Sequence, residues 1–360
     1  MRIACFNPGS SSVKLSVIDG DVTRSEESVG FDGVDTDLAR ALPDGVQAAA
    51  VRVVHGGTDF LEATVVTEVV LDRLRSLSWL APLHNPVALG LIDRVRELRP
   101  GLPIVACFDT AFHSRLREEA STYPVPGEWT RRWGLRRFGF HGLSHGYSSR
   151  RAAEMIGQRP HRLVTCHLGA GASLCAIRDG LSVDTTMGFT PMEGLMMATR
   201  SGSVDPGVIL FALRQGLSVD EVERALDRES GILGVSGISA DFRVVVGARD
   251  AGDAAAELAL SIYRHRLVQG IAAMVATLGG IDALVFTGGV GENADSLREE
   301  ACSALAFLGI VLSPGQDDAQ LEDRRLSPPG SATDVLVVHA REDVEMARHA
   351  TALLAGPSLA

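Results

Sequence analysis

Lysine is nearly missing from this 360-residue chain: Lys14 is the single example, and every other basic residue is arginine or histidine. Asparagine occurs three times, at Asn7, Asn85 and Asn293. A codon bias explains the general depletion, but the survivors then mark places where arginine or aspartate would not serve. Aromatic residues make up only 5%. The five cysteines, Cys5, Cys107, Cys166, Cys175 and Cys302, contain no Cys-x-x-Cys pair, which argues for reduced, buried thiols. No His or Cys spacing suits zinc. A Walker sequence is absent, which excludes an ordinary P-loop NTPase, and so is a Gly-x-Ser-x-Gly elbow. Met1 to Ser12 shows no charged-then-apolar leader pattern. The longest apolar stretch, Leu267 to Phe286, is broken by Gln269, Gly279, Gly280 and Asp282, so it reads as a buried helix and a strand, not a membrane span. A net charge of -11 argues against a nucleic-acid binder but leaves room for an arginine-lined anion pocket.

What remains is a globular composition, 46% hydrophobic and 22% charged, with length for one large domain or two ordinary ones. Arg2 to Asn7 reads as a buried strand, Pro8 to Ser12 as a tight turn, and Val13, Leu15 and Val17 alternate as a returning strand. A similar unit recurs: strand Arg162 to His167, small-residue turn Leu168 to Ser173, strand Leu174 to Ile177. Two such units far apart suggest a duplicated architecture. Further strands are expected at Pro103–Phe108, Asp282–Thr287 and Asp334–Val338. Helices are expected from the capping box Ser218–Glu221 through Leu226, and over Ala254–Leu278, Ala294–Leu305 and Asp343–Leu354. The expectation is two α/β domains with a cleft between them, the first built from residues 1–111 and 344–360, the second from 112–343.

Several segments carry chemistry. Asn7 to Lys14 is a candidate phosphate cradle, with hydroxyls, backbone amides and a compact cation; the plainer alternative is a hairpin with a solvated lysine. Arg52 lies in a strand pattern ahead of Gly56-Gly57, either facing a ligand or sitting on a solvent edge. Asp109 stands where a strand stops, the usual place for an active-site carboxylate, or else caps a helix. His113 reads as structural. Phe138 to His145 packs two histidines and two glycines into a short turn before a helix. Asp184 to Gly202 is long, rich in glycine and methionine, and has no period, a costly arrangement unless it lines a site. Gly288 to Gly291 reads as a turn, and Gly288 to Asn293 comes between a strand and a helix, where a nucleotide can approach the backbone.

Together these segments resemble the acetate kinase family, within the superfamily of actin, sugar kinases and heat-shock chaperones. Asn7-Pro-Gly-Ser-Ser-Ser-Val-Lys14, Arg52-Val-Val-His-Gly-Gly57, Pro82-Leu-His-Asn-Pro86, Phe108-Asp-Thr-Ala-Phe-His113, Gly139-Phe-His-Gly142, Gly188 to Pro206 and Gly288-Gly-Val-Gly-Glu-Asn293 match in order. The resemblance implies two duplicated actin-like (ribonuclease H-like) α/β domains and reversible phosphoryl transfer between ATP and acetate, giving acetyl phosphate and ADP. By resemblance, Asn7, Arg52, Asp109, His141 and Arg200 are the catalytic set. Asn7 and Glu342, with Asp109, would position Mg²⁺ or Mn²⁺. Ser10, Ser12, Lys14, His167, Gly169 and Gly171 would face phosphates. Asp241, Phe242, Arg243, Gly289, Val290, Gly291 and Asn293 would surround the nucleotide. Val54, Leu83, Phe140 and Pro191 would form the acyl pocket. A cytoplasmic homodimer is implied, with a small carboxylate and nucleotide as partners and neither nucleic acid nor membrane.

The chain departs from the family pattern at Ala170 and Ala172, where Asn and Ser are usual, at Arg341 in place of Asn, at Val51 in place of His, and in a shorter stretch between Lys14 and Arg52. These departures imply weaker nucleotide binding or a changed nucleotide preference. A propionate or butyrate kinase, and a nucleotide-binding regulator without catalysis, are the alternatives.

Overall fold

A computed structural model describes residues 1–9, 12–30, 42–313 and 323–356. By its internal contacts the chain forms two units: Met1–Ser114 with Phe140–Tyr147 and Arg341–Ala360, and Arg115–Gly139 with Ser148–Ala340.

The first unit holds strands β1 (Arg2–Pro8), β2 (Ser12–Asp19), β3 (Val22–Gly30), β4 (Ala48–Val53), β5 (Thr64–Val65) and β6 (Ile104–Phe108). They form one sheet in the order β3-β2-β1-β4-β6-β5. β1, β2 and β3 form an antiparallel meander, β1, β4 and β6 run parallel, and β5 adds an antiparallel edge. Parallel strands covered on both faces read as continuous apolar runs. Ile104–Phe108 is buried at every position, and Ala48–Val53 at all but Arg52. Helices Asn85–Leu98 and Glu342–Leu354 cover this sheet with Leu91, Ile92 and Val95, and with Val344, Met346 and Ala350.

The second unit repeats the plan. Strands β7 (Arg162–Leu168), β8 (Ala172–Arg178), β9 (Leu181–Thr185), β10 (Ala283–Thr287), β11 (Arg324–Arg325) and β12 (Asp334–Val337) are ordered β11-β12-β10-β7-β8-β9. Again three strands form an antiparallel meander, three run parallel, and a two-residue edge strand closes the far side. The duplication expected from two strand–loop–strand units is therefore present at the level of sheet order. The long helix Ala254–Leu278 packs on β8 and β7, burying Leu267, Ile271, Met274 and Val275.

Two expectations need correction. Gly288–Asn293 forms a short helix, not a plain turn, because the Glu292 carboxylate reaches back to the Gly288 amide at 2.9 Å and holds the coil closed. The helix expected after the Phe138–His145 turn begins within it, at Gly142, so His145 lies in its first turn. The residues after Thr185 up to Pro206 carry no helix or strand, as their lack of period suggested.

Candidate active site

The first unit gathers its polar residues where its three parallel strands end. Phe6 stands opposite Val51, and Val53 opposite Phe108, so Asn7, Arg52 and Asp109 come off neighbouring strands at one end of the sheet. Ligand sites in open α/β sheets lie at this carboxyl end. Arg52 donates from Nε to Asp109 Oδ1 at 2.9 Å and from Nη2 to Oδ2 at 2.5 Å. Its Nη1 donates to Asn7 Oδ1 at 3.0 Å. Asn7 in turn donates from Nδ2 to Glu342 Oε2 at 2.7 Å. The result is one continuous chain, Glu342–Asn7–Arg52–Asp109.

Asn7 works there because an amide both donates and accepts; an aspartate would set a second anion against Glu342. Asn85 is used the same way. It is fully buried, accepts the His55 amide at 3.2 Å and donates to the His55 carbonyl at 2.9 Å, which fixes the turn after Arg52. Asn293 ties its Nδ2 to the Gly289 carbonyl at 2.8 Å.

Arg52 lies in the middle of the sheet, not on a solvent edge. Burial alone would lower its pKa, but Asp109 and then Glu342 hold it charged, above the ordinary arginine range. Asp109 is only 1% exposed, and the short turn Ala111–His113 that follows it is capped by Thr110 instead. His141 has a positive φ of 57° and follows the buried Phe140. The next residue, Gly142, donates its amide to the Asp109 carbonyl at 2.9 Å, and a Cβ there would collide with that oxygen and with Phe112. Asp109 and His141 are thus tied through backbone. His113, read as structural, bonds through Nε2 to the Phe140 carbonyl at 3.0 Å.

Other expected residues of this unit fall as follows. Ser12 opens β2 and Lys14 follows on it, paired in register with Asn7. The Lys14 ammonium meets Glu26 of β3 at 3.0 Å and is not simply solvated. Ser10 lies outside the described residues. Val54 and Phe140 are buried, with the Phe140 ring edge-on to His55 at 5.5 Å, whereas Leu83 is 51% exposed.

In the second unit, Arg200 ends the aperiodic segment. Its Nε donates to Asp227 Oδ1 at 2.8 Å and its Nη1 to the Pro191 carbonyl at 3.4 Å. Backbone bonds pin the segment: Ser230 to Thr199 at 2.9 Å, Ile232 to Met197 at 2.9 Å, Leu233 to Ala198 at 3.0 Å. The β7–β8 turn is tied to the same segment, since the Ala198 amide donates to the Ala170 carbonyl at 3.1 Å. In that turn Gly169 bonds Gly171 at 2.9 Å, and His167 stands opposite Ser173. Ala172 is fully buried, paired with Leu168.

The helix Gly288–Asn293 carries Gly289, Val290 and Gly291 and is held from two sides. Glu292 accepts the Gly288 and Ala340 amides, both at 2.9 Å, and meets His339 Nδ1 at 2.5 Å. The fully buried Arg298 donates to the Gly291 carbonyl at 2.6 Å. Asp241 caps helix Phe242–Asp250 and pairs with Arg243, whose hydrogen bonds draw its pKa down to about 2. Phe242 is 9% exposed and packs edge-on against Tyr263 at 5.5 Å. Among the described residues no group of three or more His, Cys, Asp or Glu stands ready to hold a metal.

The acetokinase family model matches residues 29–348. The chain belongs to the acetokinase family. It is 45% identical to the acetate kinase of Nostoc punctiforme over 345 residues, 91% of this chain and 85% of that one. Among solved structures it is similar to Porphyromonas gingivalis acetate kinase, with a TM-score of 0.91 and 34% identity, covering 98% of this chain and 99% of that one. It is also similar to a propionate kinase from Francisella tularensis, with a TM-score of 0.89 and 32% identity, covering 97% and 98%.

Within this acetokinase, several neighbours of the expected site were invisible in the sequence. Asp227 lies on a helix whose pattern reads as solvated surface, and nothing marks it as the partner of Arg200. Glu292 sat inside a quoted motif but had no role there. A carboxylate four residues after a glycine that starts a coil is the signal that would have found it.

Proposed function

We propose that this acetokinase transfers the γ-phosphoryl group of ATP to acetate, reversibly and in line, giving acetyl phosphate and ADP. A carboxylate oxygen of acetate forms the new bond to phosphorus; the bond to the β,γ-bridging oxygen breaks, and its electron pair leaves on ADP. The acid is already ionised at neutral pH, so no strong base is required. The obstacle is bringing one anion up to another, and cations remove it. The observation that carries this reading is the chain Glu342–Asn7–Arg52–Asp109. It holds a guanidinium permanently charged and fixed in plane at the carboxyl end of a sheet. In this reading Arg52 and Arg200 bind carboxylate and phosphoryl oxygens, and His141 donates to the moving group. Val54, Phe140, Leu83 and Pro191 surround the acyl methyl.

Mg²⁺ fits the residues present. Asn7, Asp109 and Glu342 offer oxygen only, the donor type of a hard cation. Without a metal cage of three or more His, Cys, Asp or Glu among the described residues, the site suits an ion that keeps waters and leans on nucleotide phosphates. Asn7 and Glu342 would hold it, with Asp109 behind them; when bound it would neutralise phosphate charge. Ser12, Lys14, His167, Gly169, Gly171 and the Gly289–Asn293 coil would face the nucleotide, with Asp241 and Arg243 at its rim.

The protein is further proposed to work as a cytoplasmic homodimer. Helix Pro206–Arg214 supports the dimer, since it buries none of its side chains and exposes Val208, Leu210 and Phe211 at 57%, 52% and 62%. Five buried cysteine thiols support a reducing compartment.

The test is a hydroxylamine trap for acyl phosphate with Mg-ATP and acetate, propionate or butyrate in parallel. Acetate giving the highest kcat/KM is the expected result. Propionate or butyrate leading would rename the substrate, and no product with any acid would overturn the reading.

A further inference from the structure

We propose that Tyr123, Arg137 and Glu193 form a positioning unit that sets the placement of Arg200; the proposal rests on the role given to Arg200 above. Glu193 accepts the Tyr123 hydroxyl on Oε2 and Arg137 Nη2 on Oε1, the latter at 2.7 Å. Arg137 Nη1 donates to the carbonyls of Thr186 and Met187 at 3.0 and 3.1 Å. The Tyr123 oxygen accepts the Phe189 amide at 2.9 Å. One knot therefore grips the chain at 186, 187, 189 and 193.

The gripped stretch has no helix or strand to hold it. At its centre is Gly188, where a Cβ would collide with both the Tyr123 hydroxyl and the Glu193 carboxylate, so only glycine lets the knot close. Pro191 lies inside the gripped interval, and its carbonyl is one of two acceptors for the Arg200 guanidinium among the described residues. The other, Asp227, sits on the regular helix Val219–Arg228. One holder of Arg200 thus comes from a rigid element. The other comes from a stretch outside any regular element, where the knot adds side-chain ties at 186, 187, 189 and 193 to backbone bonds from Thr186 to Leu174 and from Phe138 and Gly139 to Gly188.

The knot is also chemically durable. Burial, then the Glu193 carboxylate, raise the Tyr123 pKa, so the phenol stays a donor. The guanidinium of Arg137 lies over the Tyr123 ring at 5.6 Å. A polar cleft of about 360 Å³, lined by Tyr123, Arg137, Asp184 and Glu193 among others, runs beside it. Water in that cleft can solvate a severed knot, so cutting it need not unfold the unit.

The test compares Glu193→Ala, Glu193→Gln and Tyr123→Phe with wild type in the acyl phosphate assay. Hydrogen exchange is followed in peptides covering residues 186–202. A misplaced charge of this kind costs about 10²-fold in kcat. We expect that loss in Glu193→Ala, with KM for ATP within about twofold because the nucleotide contacts are untouched. Glu193→Gln keeps a carbonyl acceptor and should recover most of kcat. Exchange over 186–202 should speed up in Glu193→Ala and not elsewhere. Unchanged kcat with unchanged exchange would overturn the proposal, as would an equal rise in KM. If Glu193→Ala fails to fold, Glu193→Gln and Tyr123→Phe decide on the same two readouts. If wild type makes no acyl phosphate, the functional reading fails alone. Local exchange then decides the knot: faster over 186–202 sustains it, unchanged refutes it.

Discussion

Arg52 and Asp109 make a two-point ion pair across neighbouring strand ends, with the acid at 1% exposure and the guanidinium at 17%. The geometry is a fork on a fork, so the carboxylate fixes the plane of the guanidinium as well as its charge. Asp109→Asn should keep the shape but turn an amide N–H₂ toward the arginine. We expect kcat to fall about 10²-fold with a smaller change in KM. Arg52→Ala removes the cation facing a buried acid and should cost about 3 kcal/mol in denaturant unfolding. Steady-state kinetics and urea melts check both.

Arg200→Ala should leave the fold intact, since the segment around it is pinned by backbone bonds rather than by its side chain. Turnover should drop on the order of 10³-fold, the scale for loss of a cation in phosphoryl transfer. A well-folded variant with ordinary turnover would remove the main mechanistic claim.

Acid sensitivity should trace to His113. Burial, opposed by the bond to the Phe140 carbonyl, lowers its pKa from 6.5 to about 4. Well above pH 6.5 neither state is protonated and its contribution is complete. As pH falls toward 4, the unfolded chain takes up a proton that the folded chain refuses, so stability is lost through that window. The loss is on the order of 3 kcal/mol. His113→Asn should be less stable than wild type at pH 7 yet flatter between pH 7 and 4.5, read by urea unfolding at each pH. The neighbouring His145 ring, 5.7 Å away, makes a double variant a useful control.

Gly142→Ala should be costly although it adds one methyl group. The new carbon would press on the Asp109 carbonyl and on Phe112. Overpacking of this kind costs about 1–3 kcal/mol. Because the same backbone bond ties Asp109 to the His141 segment, kcat should fall along with the melting temperature. A loss of stability with full kcat would separate packing from catalysis.

Phe211→Glu should separate subunits. Sedimentation of wild type at micromolar concentration is expected to show a dimer and the variant a monomer. A monomeric wild type would remove the dimer from the proposed function.

Much of this was readable from the residues. The alternating Val13, Leu15 and Val17, and the similar run at Leu174–Ile177, announced two strand–turn–strand units; the structure extends each by a third antiparallel strand, and the two sheet orders prove equivalent. The scarcity of asparagine pointed to Asn7, Asn85 and Asn293, and each now has a carbonyl or carboxylate on its amide nitrogen. Lysine was less informative: Lys14 meets an ordinary cross-strand glutamate. The coil at Gly288–Asn293 was missed because three glycines within four residues have low helix propensity, and the carboxylate of Glu292, four residues after the first of them, overrode it. Asp227, Tyr123 and Arg137 were missed because their partners are distant in sequence, and their own surroundings look like solvated surface.

The Asn7–Glu342 bond joins residues 335 positions apart. In the order of synthesis this separates scaffold from site. A ribosome that has delivered residue 150 has released every strand of the first sheet, together with Asn7, Arg52 and Asp109, but not the helix that covers the sheet and supplies Glu342. N-terminal regions generally fold first during synthesis. Here the whole second unit must pass before the first can be finished. Until then the nascent chain carries its arginine and aspartate without the acid that completes their hydrogen-bonded chain, so that chain is among the last things this protein acquires as it is made.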